Sequence, residues 1–481
     1  MANEADDIAS AVLEEFRKLP AKRKPVVRDN GLREWVPLSG IVVKGPDSLK
    51  CVALATGMKC LPASKLPQAN GVALHDWHAE ILAIRAFNRF ILDECRRLAQ
   101  DSSAESEFLR RRTSEELPPA SDRPWHRQPC AWREDLTLHM YCSEAPCGDA
   151  SMELIMSSQA DATPWAIPPS IPASPSPSPS PSQPTPTTTT TTPPNPNSNP
   201  LPSAPNPPTT THIPTTTAAP LLGRGYFSHL GIVRRKPARA DAPPTTSKSC
   251  SDKLALKQCT SLLSSLTSLF VSPRGVYLTT LVLPEPQYSA AACQRCFSSD
   301  SDSDLDPASD SESEVGVGGG RMAGVKGRAV LWEVAGYGFR GLRVEVTRGE
   351  FEFSRRGVTI MQDAAEAGDG EKVKVAASNL AVAWTKDGEV EEGLIGGVLQ
   401  GRKGVDVRGA SLTSRRRMWQ DAVVVAGMLG DGGISEALGA ERYDGVKEGG
   451  LLEGRRRVKD EVRGEALKGW LRNTGDGGFS L

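Results

Sequence analysis

The sequence predicts an α/β layered fold, a mixed sheet with flanking helices, interrupted by low-complexity insertions. Three observations lead there. Strand-like runs alternate with helical ones along the chain. One long helix is marked by apolar Ile81, Ile84, Phe87, Ile91, Cys95 and Leu98, steps of three and four that place a single buried stripe over about five turns. Two stretches have compositions that cannot build a core.

Residues 1–20 are helix-prone, with Ile8, Val12, Leu13 and Phe16 on one face. Runs 36–44 and 51–56 read as strands around Gly45-Pro46-Asp47-Ser48, a good hairpin turn. The helix of the apolar stripe follows, opened by His75-Asp76-Trp77-His78-Ala79-Glu80. Residues 136–142 read as a strand that turns at Pro146-Cys147 into a second helix, and 254–269 as a further helical segment with Leu254, Leu262, Leu266 and Leu269. Strands are expected at 275–283, 329–334 and 378–384, and helices bearing Arg415-Arg416-Arg417, Arg455-Arg456-Arg457 and Lys459 close the chain. Such basic runs usually mark solvated faces. From 161 to 222 the chain is mostly Pro, Thr, Ser and Asn without Lys or Arg, and 298–320 opens with seven carboxylates among serines. Both are expected to be disordered insertions in a single domain spanning 1–481, a dilution that fits 38% hydrophobic and 5% aromatic content.

Chemistry-bearing residues fall at three helix starts. His78 followed by Glu80 is the first half of a zinc deaminase signature, in which His ligates the metal and Glu, unligated, moves protons. Pro146-Cys147 is the second half. The generic pattern has another Cys three residues later, but Ala150 stands there, so the third ligand must come from elsewhere. Ser249-Cys250-Ser251-Asp252 supplies it, with capping residues ahead of an apolar segment. Three positive helix ends would favour thiolate at Cys147 and Cys250. Cys293-Gln294-Arg295-Cys296 has the spacing of half a structural metal site, but no second pair lies nearby.

The pieces Gly57-Met58-Lys59-Cys60, His75 to Ile81, Pro146-Cys147-Gly148-Asp149-Ala150 and Ser249 to Lys253, in this order, resemble the editase domain of the adenosine deaminases that act on RNA. The segment 230–244 is similar to the one its tRNA-acting branch carries before the third zinc cysteine. The likeness covers roughly 20–160, 223–297 and 325–481, and departs at Met58, where editors of double-stranded RNA typically carry a small polar residue. The resemblance implies a cytidine-deaminase-like fold, zinc on His78, Cys147 and Cys250, Glu80 as the proton carrier, and adenosine-to-inosine conversion in a tRNA anticodon loop, at the adenosine 3′ of the anticodon of alanine tRNA. It also implies a buried inositol hexakisphosphate, carried onto Arg85, Lys236, Lys253, Arg415, Tyr443, Lys447 and Arg457. Lys59, Arg234 and Arg235 are the expected RNA contacts.

Net charge is −1, and +6 once the seven carboxylates of 298–314 are set aside, a modest excess compatible with RNA. Ten irregularly spaced cysteines, no signal peptide and no apolar run of 18 residues predict a reducing compartment, cytoplasmic or nuclear, without a membrane. A monomer is expected. The other readings are an editor of double-stranded RNA, against which stands the lack of room for a double-stranded-RNA-binding module before the domain; a non-catalytic RNA-binding subunit, expected to have lost Glu80; and a free-nucleoside deaminase, which needs no basic patches.

Overall fold

The computed structural model describes residues 3–117, 126–157, 221–222, 229–236, 242–299, 320–365, 375–388, 390–402 and 404–481, with the backbone alone at 221–222 and 362–365. These residues belong to one compact unit. Nearly all of the expected insertions, 161–222 and 298–320, lies outside them.

Helix α1 spans Glu4–Lys18 and is followed by the hairpin β1 (Leu38–Gly45) and β2 (Ser48–Thr56), then α2 (Ala79–Gln100) and β3 (Thr137–Cys142). After α3 (Met152–Ser157) come α4 (Cys250–Thr260), β4 (Leu278–Pro284), α5 (Ala290–Phe297), α6 (Ala323–Lys326), β5 (Arg343–Thr347) and α7 (Arg355–Ala365). Strands β6 (Ala381–Thr385), β7 (Glu391–Ile395) and β8 (Val398–Leu399) precede α8 (Arg415–Leu429), α9 (Gly432–Leu438), α10 (Tyr443–Glu448) and α11 (Glu453–Glu465).

The eight strands form one mixed sheet in the order β5-β4-β3-β1-β2-β6-β7-β8. The β3, β4 and β5 neighbours run parallel, and every other pair is antiparallel. Both faces are covered, so β1 is buried along nearly its whole length rather than at alternate residues. Leu38 and Val42 pack under Ile8, Val12 and Phe16 of α1, while Ile41 and Val43 join the core that surrounds α2. Layers of helix, sheet and helix result. Within them α2 is the central rod: Leu82, Phe87, Ile91 and Leu92 are fully buried.

Two expectations are corrected. Residues 329–334 are not a strand but the start of a 3-10 helix, Ala329–Ala335, because Ala329, Trp332 and Ala335 bury a three-residue repeat while Val330 and Leu331 stay exposed. The helix at 254 ends at Thr260, where Ser261 takes φ +57° and turns the chain out of the helix.

Candidate active site

His78 is the residue just before α2, in extended conformation, and its ring makes no capping hydrogen bond. Its backbone is fixed by the loop after β2: Trp77 N–H donates to Lys59 O at 3.0 Å and Ala79 N–H to Gly57 O at 2.8 Å. Gly57 has φ +143°, and a Cβ there would lie 2.2 Å from Trp77 O, so this contact demands glycine. Cys147 follows β3 in a loop; contrary to expectation it does not begin a helix, since only a 3-10 turn, Asp149–Ser151, separates it from the short α3. Cys250 is the first residue of α4, whose cap Ser249 Oγ accepts from Asp252 N–H. The two cysteine segments lock directly. Ser251 Oγ donates to Pro146 O and Cys147 O, each at 3.0 Å, and Cys250 N–H points to Cys147 Sγ at 3.4 Å.

Candidate ligand atoms of His78, Cys147 and Cys250 all lie within 4.8 Å of one another, and His78 Nδ1 is 3.7 Å from Cys147 Sγ. Neighbouring N and S ligands of tetrahedral zinc lie about 3.5 Å apart, so the donor set and its spacing fit that ion. Cys60, Asp76 and His78 form a second close group. The first is favoured because Asp76 is already engaged: its Oδ2 accepts from Lys236 Nζ and Ser247 Oγ, each at 2.8 Å, and from Lys253 Nζ. Burial opposes ionisation, but Lys236 and Lys253 hold the Asp76 carboxyl well below the usual range. Lys236 Nζ also reaches Cys250 Sγ at 3.1 Å. The hydrogen bond from Cys250 holds the Cys147 thiol far below its ordinary range against burial, with Lys236 and His78 assisting. Glu80 is buried in the first turn of α2; burial and the Cys147 charge raise its pKa.

Behind Asp76 opens a cavity of about 750 Å³. Ten basic and five acidic side chains line it, among them Arg85, Lys253, Arg415, Lys447, Arg455 and Lys459. Burial, then repulsion from Arg455, Lys257, Arg463 and Lys447, push the Lys459 ammonium well below its ordinary pKa. Such a cage fits a polyanion, which would relieve that repulsion.

Of the residues expected around inositol hexakisphosphate, Arg85, Lys253, Arg415 and Lys447 line this cavity. Lys236 instead lies between Asp76 and Cys250, Tyr443 stacks on Phe479 with centroids 5.1 Å apart, and Arg457 is exposed away from it. Lys248, Arg455, Arg456, Lys459 and Arg463 were not anticipated. The signal existed: Arg455, Lys459 and Arg463 recur every four residues, one face of α11, although a solvated face was expected. Arg455 is buried and donates to Thr260 O at 2.7 Å. Of the expected RNA contacts, Lys59 is exposed and bonded to Asn379, Arg235 is half-buried, and Arg234 is internal, its N–H donating to Asp252 at 2.9 Å. Cys293 and Cys296 are both buried on α5 and belong to no potential metal cluster among the described residues.

The chain matches the family model of the adenosine-deaminase (editase) domain over residues 53–306. It is 35% identical over 300 residues to the tRNA-specific adenosine deaminase 1 of Schizosaccharomyces pombe, covering 62% of this chain and 61% of that protein. Against the protein of the same name from Saccharomyces cerevisiae it is 29% identical over 284 residues, 58% of each chain. The double-stranded RNA-specific editase B2 of Mus musculus shares 30% identity over 152 residues, 30% of this chain and 18% of that one. The chain thus spans about three fifths of the length of the two yeast relatives it matches. With a layered sheet carrying His78, Glu80, Cys147 and Cys250 to one place, and a family match over more than half its length, the chain belongs to the adenosine-deaminase (editase) domain family.

Proposed function

We propose that this protein is a zinc-dependent deaminase that converts adenosine to inosine in tRNA, releasing ammonia, with the adenosine 3′ of the anticodon of alanine tRNA as its target. The observation that carries this reading is the convergence of His78, Cys147 and Cys250 within 4.8 Å beside the buried Glu80. The names of the two yeast relatives support tRNA as the substrate.

His78, Cys147 and Cys250 would hold the metal, which when bound supplies the Lewis acidity that brings the pKa of water down towards ~7. Glu80, two residues from a ligand and shielded from solvent, takes the proton of the attacking water and delivers protons to adenine N1 and the departing amine. Its raised proton affinity suits a group that must both accept and return a proton. An anticodon-loop base is already partly unpaired, so turning it into the pocket costs less than the few kcal/mol a paired base demands. Exposed Lys59 and half-buried Arg235 would meet phosphates. In the cavity behind Asp76, the cage of Lys and Arg would hold inositol hexakisphosphate, with Arg85, Lys253, Arg415 and Lys447 among its contacts.

The test is inosine mapping with purified protein on whole alanine tRNA, its anticodon stem-loop and a long perfect duplex. Inosine in the tRNA is expected. Editing of the duplex with tRNA untouched would move the assignment to double-stranded RNA. Denatured, active protein is expected to release one inositol polyphosphate per chain; none would return the basic cage to RNA contact or solvation.

A further inference from the structure

We infer that Arg295 and Arg321 are positioning residues for the metal centre, a clamp that sets how far apart Cys147 and Cys250 stand. This rests on the metal reading above and adds to it.

Each cysteine ligand is followed two residues later by an aspartate with no exposed surface: Asp149 after Cys147 and Asp252 after Cys250. A buried carboxylate needs a partner, and each has an arginine. Asp149 Oδ2 accepts from Arg295 Nε at 2.9 Å, and Arg295 Nη2 reaches Asp149 O at 3.1 Å. The same guanidinium forks onto Glu153, with Nη1 at 2.6 Å and Nη2 at 3.1 Å. Asp252 Oδ1 accepts from Arg321 Nη1 at 2.7 Å, and its Oδ2 from Ser249 Oγ at 2.6 Å and Arg234 N–H at 2.9 Å. The two arginines are themselves joined. Arg321 N–H donates to Arg295 O at 3.1 Å and Arg321 Nε to Cys296 O at 3.1 Å, while Cys296 Sγ lies 3.5 Å from Asp149 Oδ2.

The path therefore runs Cys147, Asp149, Arg295, Arg321, Asp252, Cys250, through short charged hydrogen bonds and one backbone contact. Planar guanidinium forks fix direction as well as charge, which a flexible ammonium cannot. It also gives Cys293-Gln294-Arg295-Cys296 a role without metal: the motif's arginine is the working part and its cysteines are packing. Neither arginine touches the ligands, so both act through the aspartates, as groups outside a metal's own shell commonly do.

The experiment compares wild type, Arg295→Lys and Arg321→Lys, with Arg110→Lys, a surface pair on Glu116 and Glu134, as control. Zinc affinity is measured by competition with a colorimetric chelator, and ligand geometry by the visible spectrum of the cobalt-loaded protein. The expected result is a 10–100-fold loss of zinc affinity in both clamp variants and an altered cobalt spectrum. Turnover should recover with excess zinc while KM for tRNA is unchanged. The zinc-induced rise in melting temperature should shrink. Unchanged zinc affinity and spectrum in variants whose zinc-free and zinc-loaded forms lose equal melting temperature would make the clamp merely structural and overturn the inference. Wild type that binds no stoichiometric zinc would instead sink the metal reading itself. Should a lysine variant not fold, Glu153→Gln loosens the Arg295 fork while keeping Asp149 paired; unaltered affinity there would likewise refute the clamp.

Discussion

Glu80 is the proposed proton carrier, and His75, five residues earlier, is placed to stay without a proton. On the proposed mechanism the Glu80 carboxylate carries protons and holds no metal, so replacing it by Ala is expected to lower kcat by roughly 10²–10⁴ while zinc content by elemental analysis stays at one per chain. Undiminished turnover would remove Glu80 from the mechanism. His75 is buried on Asp476, with Nε2 2.7 Å from Oδ2, and Asn473 Nδ2 3.1 Å from its other nitrogen. Burial, then the Arg415 charge, depress its pKa to about 4 despite the Asp476 contact. In the unfolded chain the value returns to ~6.5, so between those two pH values the unfolded state binds a proton that the folded state refuses. Stability therefore falls as pH falls through that window, by as much as about 3 kcal/mol at its lower end. The depressed pKa of Asp476 acts in the same direction, its stabilisation being lost on acidification. Melting temperatures of wild type and His75→Gln from pH 7 to 4.5 check this: the variant should lose less. Parallel curves would clear His75.

Among the elements, the loops that carry ligands are more demanding than the helices they precede. Gly148 sits at φ +107°, and a Cβ there would come within 2.4 Å of the Ser249 side chain on the facing cysteine segment. Gly148→Ala should cost several kcal/mol, of order ~3, or abolish zinc binding. Gly427, inside α8 with open space where a methyl would stand, should gain ~1 kcal/mol on the same change. Chemical denaturation of both variants checks the contrast; equal effects would mean the Gly148 loop can relax. These differences explain what the sequence could and could not show. The α2 stripe, the β1–β2 hairpin and the His78-Ala79-Glu80 and Pro146-Cys147 motifs were legible because each is a local pattern with one dominant physical cause. The 3-10 helix at Ala329 was not, since a short apolar run fits either period. Nor was the burial of Arg234 and Arg455, because basic residues are placed inside only by distant partners, here the charges of Asp149 and Asp252 for Arg234 and the carbonyls of Thr260 and Leu263 for Arg455. The role of Arg295 hid inside a cysteine spacing that suggests metal first.

For the whole molecule, the Pro/Thr-rich stretch lies between Cys147 and Cys250, about a hundred residues apart in sequence, yet the two cysteines meet. Deleting 165–220 is expected to leave kcat and melting temperature nearly unchanged, since that composition buries little apolar surface and loop length is thermodynamically inexpensive. A large drop in either would show that the tract packs or binds substrate. The segment after α11 has a different character. Asp476 accepts from Gly71 N–H at 2.7 Å as well as from His75, and Tyr443 N–H donates to Phe479 O at 3.0 Å. Residues some 400 positions apart thus close the same cavity, a contact that sets the schedule of biosynthesis. At ~5–20 residues per second, the ribosome leaves His75 waiting roughly 20–80 s for Asp476. From the synthesis of Cys250 onward the nascent protein holds His78, Glu80, Cys147 and Cys250 behind an unfinished wall. A message broken between codons 464 and 473 would therefore yield a chain with His78, Glu80, Cys147, Cys250 and an open basic cage, a natural substrate for chaperones and proteases rather than a partial enzyme.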